Sequence, residues 1–365
     1  MTSLTNKPWR TALMIGYILG MLTVSAQADK KNGYTQINLV SDVAGVARFQ
    51  DERLVNAWGL VIGPEGKLIV ADNGTGLGTF YKENGRPFDF TINVPAPDGG
   101  PGAPTGLVLN DNERSFIVCS GRRHAESILI FATEEGTLAA WNPDVDKKDA
   151  LIVVNHSADG AIYKGLAIAQ TSHGPRLYTA NFGVGVVEIY NKDWERVRTF
   201  TDPGLSQASF VPFGIEVIRD KLFVTYAFKA SPGDTDETAG PGLGYVVEFD
   251  LNGDFVRRFA SQGPLNAPWG LALAPREFGK FGGALMVGNF GDGRINAYNL
   301  KTGAFLGQLT EPSGDPICID GLWGLAFGEE DDELYFTAGP NDEENGLLGA
   351  LKAIGSGRGK DDKDD

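Results

Sequence analysis

Six times between residues 58 and 325, the sequence places a glycine between a residue that is usually bulky and an apolar residue. The glycines recur roughly every fifty residues, a period typical of propellers and solenoids, in which each repeat is one supersecondary unit. A chain with this pattern is expected to form one ring or stack of equivalent units rather than separate domains. The copies read Trp58-Gly59-Leu60, Thr105-Gly106-Leu107, Lys164-Gly165-Leu166, Phe213-Gly214-Ile215, Trp269-Gly270-Leu271 and Trp323-Gly324-Leu325.

Each repeat also carries the signals of short strands separated by tight turns. A second run rich in β-forming residues follows the glycine motif, as in Leu68–Ala71, Leu177–Ala180 and, in the second repeat, Phe116–Val118. Further apolar runs end in Asn, Asp or Gly, which suit hairpin turns. Four strands per repeat predict an all-β protein, a six-bladed β-propeller with four-stranded antiparallel blades.

The ends of the repeat array predict how the ring closes. The sixth repeat supplies only three strands, the last of them over 347–354, so its sheet lacks an outer strand. Residues 36–40, just before the first repeat, have the composition of a strand. We expect them to pair with residues 347–354 and so cover a sheet edge that would otherwise promote aggregation.

The N-terminus has the layout of a secretory signal peptide. Lys7 and Arg10 precede an apolar run over 11–24, and Ala26-Gln27-Ala28 follows. The run is shorter than the ~20 residues that span a bilayer, which favours cleavage after Ala28 over a retained anchor. The sequence therefore predicts a secreted or periplasmic protein with no membrane span after cleavage, a propeller over 29–355 and a disordered charged tail over 356–365.

Composition and missing motifs exclude several classes of protein. The formal charge of −15 argues against a nucleic-acid partner. The chain has no G-x-S-x-G, H-E-x-x-H, Walker or G-x-G-x-x-G motif, which removes common hydrolase, zinc-protease and nucleotide-binding classes. Its two cysteines, Cys119 and Cys318, leave the question of a disulfide open. A monomer that binds a small molecule or an extracytoplasmic protein is expected.

Several segments resemble known propeller families. The run Leu68–Asn73, followed by Phe80-Tyr81 and Asn84-Gly85, resembles NHL-type repeats. The segments 56–60 and 320–325, with the Asn-Phe-Gly motifs at Asn181 and Asn289, resemble an uncharacterised bacterial family of secreted six-bladed propellers. Some members of that family carry an exosortase sorting tail, which this C-terminus lacks. More distant relatives by fold include calcium-dependent gluconolactonase-like hydrolases and streptogramin-linearising lyases.

The propeller model places polar side chains at one rim of the central channel. Loops that enter the first strands and loops that join second to third strands share this rim, and we assign to it Asn56, Asn73, Arg122, Arg123, His124, Asn155, His156, Asn181, Asn266, Asn289, Asp320 and Asn341. Ligand binding is expected at Asn73, Arg122, Arg123, Asn181, Asn289 and Asp320. The alternative for the asparagines is a tight turn, because Asn tolerates positive φ. For the arginines the alternative is a solvated loop.

Two functions follow from this rim. The first is a binding or scaffold module for an unknown ligand. The alternative is a gluconolactonase-like hydrolase or lyase in which Asn181, Asn289 and Asp320 hold calcium and His124 or His156 moves protons. An acidic insertion over 230–244 is either a lid or an acidic cation-binding flap on the rim, or a tolerated surface loop.

Overall fold

The computed structural model describes residues 33–328 and 333–354 of the chain. Within these residues, six sheets with antiparallel strand pairs radiate from a central channel, as a six-bladed β-propeller requires. The fold class expected from the repeats is confirmed. The predicted signal peptide (residues 1–28) and charged tail (residues 356–365) lie outside the described residues, so the domain bounds at both ends remain predictions.

The first strands of the chain and the first three blades follow the order of the repeats. The chain opens with β1 (Tyr34–Ser41) and β2 (Phe49–Gln50), which join the last blade. Blade 1 contains β3 (Ala57–Ile62), β4 (Leu68–Asp72), β5 (Leu77–Tyr81) and β6 (Pro87–Asn93). Blade 2 contains β7 (Pro104–Leu109), an inserted hairpin of β8 (Ile117–Ser120) and β9 (Arg123–Glu126), then β10 (Leu129–Thr133), β11 (Thr137–Trp141) and β12 (Leu151–Asn155). Blade 3 contains β13 (Tyr163–Thr171), β14 (Gly174–Asn181), β15 (Val186–Asn191) and β16 (Arg196–Phe200).

The remaining blades complete the ring. Blade 4 contains β17 (Phe210–Ile218), β18 (Lys221–Phe228), β19 (Gly244–Asp250) and β20 (Phe255–Ser261). Blade 5 contains β21 (Pro268–Leu273), β22 (Leu285–Asn289), β23 (Ile295–Tyr298) and β24 (Phe305–Gln308). Blade 6 contains β25 (Leu322–Phe327), β26 (Glu333–Ala338), β27 (Leu347–Ala353) and β1. Helical segments in the described residues are one α-helical turn, α1 (Pro203–Ser206), and three short 3-10 turns at Pro64–Gly66, Ser157–Asp159 and Gly279–Phe281.

The first strand of every blade lines the central channel. β3, β7, β13, β17, β21 and β25 contact one another in sequence and close a ring. We call the end of the channel where the chain enters these strands the upper mouth, and the opposite end the lower mouth. Loops that join second to third strands also lie at the upper end, because neighbouring strands within a blade are antiparallel.

The repeated glycine explains how six first strands fit around one axis. A Cβ atom at any of the six motif glycines would come closer than 3.0 Å to backbone of the next blade. Gly59, for example, faces the backbone of Thr105 and Leu107, and Gly324 faces the carbonyl of Trp58 across the closing seam. The glycines are therefore required for close approach of neighbouring blades, not for a turn.

The predicted ring closure is confirmed. β1 pairs antiparallel with β27, with Gln36 opposite Leu351 and Val40 opposite Leu348. Tyr34, Leu39 and Val40 are buried in the seam. The segment that precedes the first blade therefore supplies the outer strand of the last blade.

Blade 2 departs from the expected strand order. Phe116–Val118 was expected to supply its second strand, and this is wrong: residues 117–120 form one arm of the inserted β8–β9 hairpin. The second strand is β10, which is buried along its whole length, whereas β8 alternates between exposed and buried residues. A half-exposed strand cannot occupy the middle of a packed blade, so the fully apolar run is the one that pairs with β7.

Candidate functional site

The upper mouth is built around one buried lysine. Lys164 lies in β13 at the position that Trp58, Phe213 and their equivalents occupy in other repeats, and it is 1% exposed. Its Nζ is 2.9 Å from Oε1 of Glu134 and 2.8 Å from Oδ1 of Asp236. A buried ammonium is stable only when paired, and these carboxylates supply its partners.

The carboxylates reach Lys164 from other blades. Glu134 lies in the turn between β10 and β11 of blade 2, and Asp236 lies in the loop between β18 and β19 of blade 4. Glu237 follows in the same loop, with its Oε2 3.8 Å from Nζ and its side chain 4% exposed. The long acidic insertion therefore extends over the mouth of the channel, as the lid interpretation expects. We call residues 229–243 the blade 4 loop.

Electrostatics at the mouth are dominated by negative charge. Burial lowers the pKa of Lys164, but Glu134, Glu237 and Asp236 outweigh burial and raise it above the usual lysine value. Burial raises the pKa of Glu237 despite the nearby Lys164. Burial, followed by the charge of Glu237, also raises the pKa of Glu343 to about 7. One ammonium therefore does not offset the carboxylates around it.

Glu343 is held toward the mouth by an unusual turn between β26 and β27. Asn341, Asp342 and Glu343 have φ values of 60°, 52° and 65°, in the left-handed region that non-glycine residues rarely adopt. The turn is fixed by hydrogen bonds from the Asn341 backbone N–H to Oδ2 of Asp320 and from the Glu343 backbone N–H to the Gly339 carbonyl. Asp320 thus lies at the mouth, where the sequence places it, and organises the turn that carries Glu343.

An aromatic layer forms the floor below Lys164. Nζ lies 5.1 Å from the Trp58 ring and 5.4 Å from the Phe182 ring. Trp58 stacks on Trp323 with ring centroids 3.5 Å apart, and Trp269 meets both rings edge-on. Because these tryptophans are buried, they seal the channel, and the Trp58 and Phe182 rings stabilise the ammonium through cation–π contacts.

Asn73 is part of a polar chain that leads into this site. The indole N–H of Trp323 donates to Oδ1 of Asn56, and Nδ2 of Asn56 donates to Oδ1 of Asn73. Nδ2 of Asn73 in turn donates to Oε2 of Glu134, 3.0 Å away. The structure therefore brings Asn56 and Asn73 to the mouth, where they fix the carboxylate that pairs with Lys164. Asn266 also acts at this end, since its Oδ1 accepts from Gly240 of the blade 4 loop at 2.6 Å.

Asn181 and Asn289 are engaged within their own blades. Oδ1 of Asn181 accepts from the backbone N–H groups of Ile162 and Val184, and its Nδ2 donates to Glu188. Nδ2 of Asn289 donates to the Pro264 carbonyl and to Asp292. These bonds favour the turn interpretation, and a calcium site built from Asn181, Asn289 and Asp320 remains a prediction. Among the described residues, no group of three or more His, Cys, Asp or Glu is placed to hold a metal ion.

The predicted arginines and His124 lie away from the upper mouth, but His156 lies at the upper end, in the loop that enters β13, where its backbone N–H donates to the Gly136 carbonyl of the turn that carries Glu134. Nδ1 of His156 is 2.9 Å from Oδ2 of Asp159, in the loop after the outer strand β12, and its neighbour Asn155 accepts hydrogen bonds from Ser157. Arg122, Arg123 and His124 were expected in a loop between second and third strands. Because the β8–β9 hairpin is inserted after a first strand, that expectation is wrong and all three lie toward the lower end. Cys119 and Cys318 are free and exposed.

The sequence carries a signal for Lys164 but no pattern that connects it to its partners. Lys164 interrupts a series of mostly aromatic residues at equivalent positions, and a charged residue on an inner strand indicates a paired partner. Asp236 lies 72 residues away in another blade, so no local pattern connects it to Lys164. Glu134 and Glu343 were missed for the same reason, and Glu237 was anticipated only as part of the acidic insertion.

Comparisons with known proteins reveal relatives without an assigned activity. No family model matches the chain. Two uncharacterised proteins of Acanthamoeba polyphaga mimivirus, L690 and R648, are each 34% identical to it, over 325 and 321 residues. Each alignment covers 86% of this chain, together with 84% of L690 and 78% of R648. These relatives are viral, so the bacterial and exported character of the family that the sequence resembles remains a prediction.

Solved structures agree with the fold. A luciferin-regenerating enzyme is 13% identical, with a TM-score of 0.54 and coverage of 88% of this chain and 96% of that chain. A gluconolactonase of Xanthomonas campestris, XC5397, is 14% identical, with a TM-score of 0.49 and coverage of 82% and 86%. The likeness to the luciferin-regenerating enzyme agrees with the propeller fold, and at such an identity it does not transfer an activity. No helix among the described residues has the length and hydrophobicity needed to cross a membrane.

Proposed function

The chain belongs to the family of the mimivirus proteins L690 and R648, and we propose that it is a binding protein whose upper mouth takes a positively charged ligand. The observation that carries the proposal is the convergence of carboxylates from blades 2, 4 and 6 around one ammonium. These are Glu134, Asp236, Glu237 and Glu343. A ligand cation would offset the burial and the repulsion by Glu237 that together raise the pKa of Glu343.

A buried oxygen without a hydrogen bond supports this site independently. Oε2 of Glu237 is buried, and no hydrogen-bond partner for it exists among the described residues. Its ion pair with Lys164 is long, at 3.8 Å. A buried carboxylate oxygen in this state is costly, and a ligand ammonium that donates to it would remove that cost.

The blade 4 loop supplies a way into the site. Gly240 of this loop is tied to Asn266, and Asp236 crosses to Lys164 with 70% of its side chain exposed. Ion pairs that solvent reaches are weak, so the contact can open while the rest of the blade stays folded. We propose that ligand entry requires this opening and that closure buries the ligand against the aromatic floor.

The proposal also includes the location of the protein. From the signal-peptide pattern ending at Ala28 we propose that the protein is periplasmic or secreted, and that as a monomer it binds a small molecule or a protein that carries a cationic group. Calcium-dependent hydrolysis at Asn181, Asn289 and Asp320 is the competing proposal. The hydrogen bonds of Asn181 within blade 3 count against it, because its oxygen already accepts two backbone N–H groups.

Calorimetric titration tests the proposal with three probes: 1,4-diaminobutane, calcium and the uncharged butane-1,4-diol. We expect the diamine to bind, the diol not to bind, and Glu343→Gln to weaken diamine binding about tenfold. Glu344→Gln is the matched control, since Glu344 is the exposed neighbour in the same turn and should leave affinity unchanged.

Two results would overturn the proposal. The first is equal binding of diamine and diol by the wild-type protein, and the second is failure of the diamine to bind. Calcium binding that is lost in Asp320→Ala and unaffected by Glu343→Gln would replace it with the calcium-dependent hydrolase.

A further inference from the structure

The lower end of the channel holds a second cavity with a different character. A bowl of about 350 Å³ opens there between the first strands of blades 1, 4, 5 and 6. This volume lies within the ~300–1,000 Å³ range of small-molecule sites. Its walls are mainly apolar, and we call this cavity the lower bowl. The apolar side chains that define it are Leu60, Ile62, Ile218, Leu273, Leu325 and Phe327.

One carboxylate interrupts this apolar surface. Glu216 lines both the lower bowl and a narrow cavity of about 40 Å³ directly above it, which all six first strands border. The other repeats have only valine or alanine at the equivalent position. These equivalents are Val61, Val108, Ala167, Ala272 and Ala326.

Among the residues that the structure describes, Glu216 has no partner of opposite charge. Its Oε1 accepts a hydrogen bond there only from the adjacent backbone N–H of Val217, at 3.1 Å. Arg219 is the other charged residue that lines the bowl, but no ion pair joins it to Glu216 within the described part of the chain. Burial accordingly raises the pKa of Glu216 to about 7. An unpaired carboxylate in an apolar channel opposes folding, which a merely structural role does not explain.

We infer that the lower bowl binds an amphiphilic amine, whose ammonium group pairs with Glu216 while its apolar body contacts Leu273, Phe327 and their neighbours. Charge complementarity selects the cation, because an anion would face an uncompensated carboxylate. The apolar wall selects a hydrocarbon substituent over a polyol or a bare metal ion. This site is separate from the upper mouth, since the aromatic layer lies between them.

Titration with cyclohexylmethylamine tests the inference, with cyclohexylmethanol as the uncharged probe of the same shape. At about pH 8 we expect Glu216→Gln to weaken amine binding at least about tenfold and to leave the weak binding of the alcohol unchanged. Wild-type affinity for the amine should rise from about pH 6 to about pH 8, as Glu216 ionises, and the variant should lack this rise.

Two further variants keep the result interpretable. Glu216→Val, which installs the residue of another repeat, should fold at least as stably as the wild type and also lose amine binding. Arg219→Gln should retain or strengthen binding, because it removes a positive charge from the same bowl.

Three outcomes would overturn the inference: unchanged affinity in Glu216→Gln, loss of binding in Arg219→Gln, or a lower unfolding midpoint in Glu216→Val at about pH 8. Loss of amine binding in Glu343→Gln but not in Glu216→Gln would place the probe at the upper mouth and reject the lower bowl.

Discussion

Lys164 supplies one positive charge among three carboxylates. Its Nζ lies within 4.0 Å of oxygens of Glu134, Asp236 and Glu237. The backbone carbonyl of Lys164 also accepts from the Trp269 indole at 2.8 Å, which fixes the strand across the channel. The ammonium is therefore an internal counter-ion for a site that would otherwise repel itself.

Lys164→Met tests that role directly. Removing one partner of a buried ion pair leaves unpaired carboxylates and should lower the free energy of unfolding by about 3–5 kcal/mol at neutral pH. Without the ammonium, the pKa of Glu237, which burial already raises, and the pKa of Asp236, which Lys164 lowers against the effect of burial, both rise in the folded state. The loss of stability relative to the wild type should therefore become smaller as pH falls and these groups bind protons. Added calcium should also restore stability to the variant, because it can replace the missing charge. Denaturant unfolding at several pH values, with and without calcium, measures both effects.

Lys229→Met is the control for this variant. Lys229 contacts the Phe182 ring and donates to the Gly183 carbonyl at 3.2 Å, but no carboxylate pairs with it among the described residues. Lys229→Met should lower the free energy of unfolding by less than Lys164→Met does, and calcium should not restore the lost stability. A Lys164→Met protein as stable as the wild type at neutral pH would contradict the counter-ion role.

At the scale of elements, strand prediction succeeded where a run was apolar on both faces and failed where two candidate runs competed. In blade 2, the β8 and β10 segments both satisfy the composition of a strand. Only their burial patterns separate them, since Leu129–Thr133 is buried throughout and Ile117–Ser120 alternates. Sequence periodicity alone ranks neither above the other, so the arginine hairpin was assigned to the wrong end of the channel.

The closing strand β1 gives a prediction at this scale. A chain that begins at Gly33 should fold, whereas one that begins at Asp42 should not unfold cooperatively and should aggregate. Burial of Tyr34, Leu39 and Val40 is worth about 1.5–3 kcal/mol each, a large part of a typical total stability of ~5–15 kcal/mol. Their loss also exposes the edge of β27. Thermal unfolding and light scattering of the two chains make the comparison.

A peptide of residues 33–41 provides a control for the shortened chain. Added in trans, it should restore a cooperative transition, because it can form the same pairs with Leu347–Ala353. Cooperative unfolding of the shortened chain at the wild-type midpoint would show that the ring does not depend on this strand.

At the scale of the whole molecule, the repeat determined the fold, and the departures from the repeat determined the candidate sites. Gly59 and its equivalents explain why six blades close, and they could be read from spacing alone. Lys164 and Glu216 break the pattern at equivalent strands, yet the surroundings of Lys164 depend on loops of other blades, and those of Glu216 on the first strands of other blades. The positions of Lys164 and Glu216 on the ring were therefore predictable from the sequence. The side chains that contact them could be identified only from the three-dimensional structure.

The two ends of the channel together predict how stability depends on pH. Glu343 and Glu216 each have a pKa raised to about 7 in the folded protein, against ~4.3 for an unperturbed glutamate. Between these values the folded state binds more protons than the unfolded state, so stability decreases as pH rises from about 4.5 to about 7. The raised pKa of Lys164 contributes nothing in this range, because an unperturbed lysine loses its proton only near pH ~10.4.

The double variant Glu216→Gln/Glu343→Gln should remove that contribution. At about pH 8 we expect it to be more stable than the wild type by about 1 kcal/mol per glutamate, less than the full pKa difference implies because both side chains touch solvent. The two effects should add, since the groups lie at opposite ends of the channel and share no partner. Near pH 4.5 the two proteins should be equally stable, and Glu344→Gln should match the wild type throughout. Parallel pH profiles of wild type and double variant, measured by denaturant unfolding, would show that neither carboxylate is held in an unfavourable ionised state.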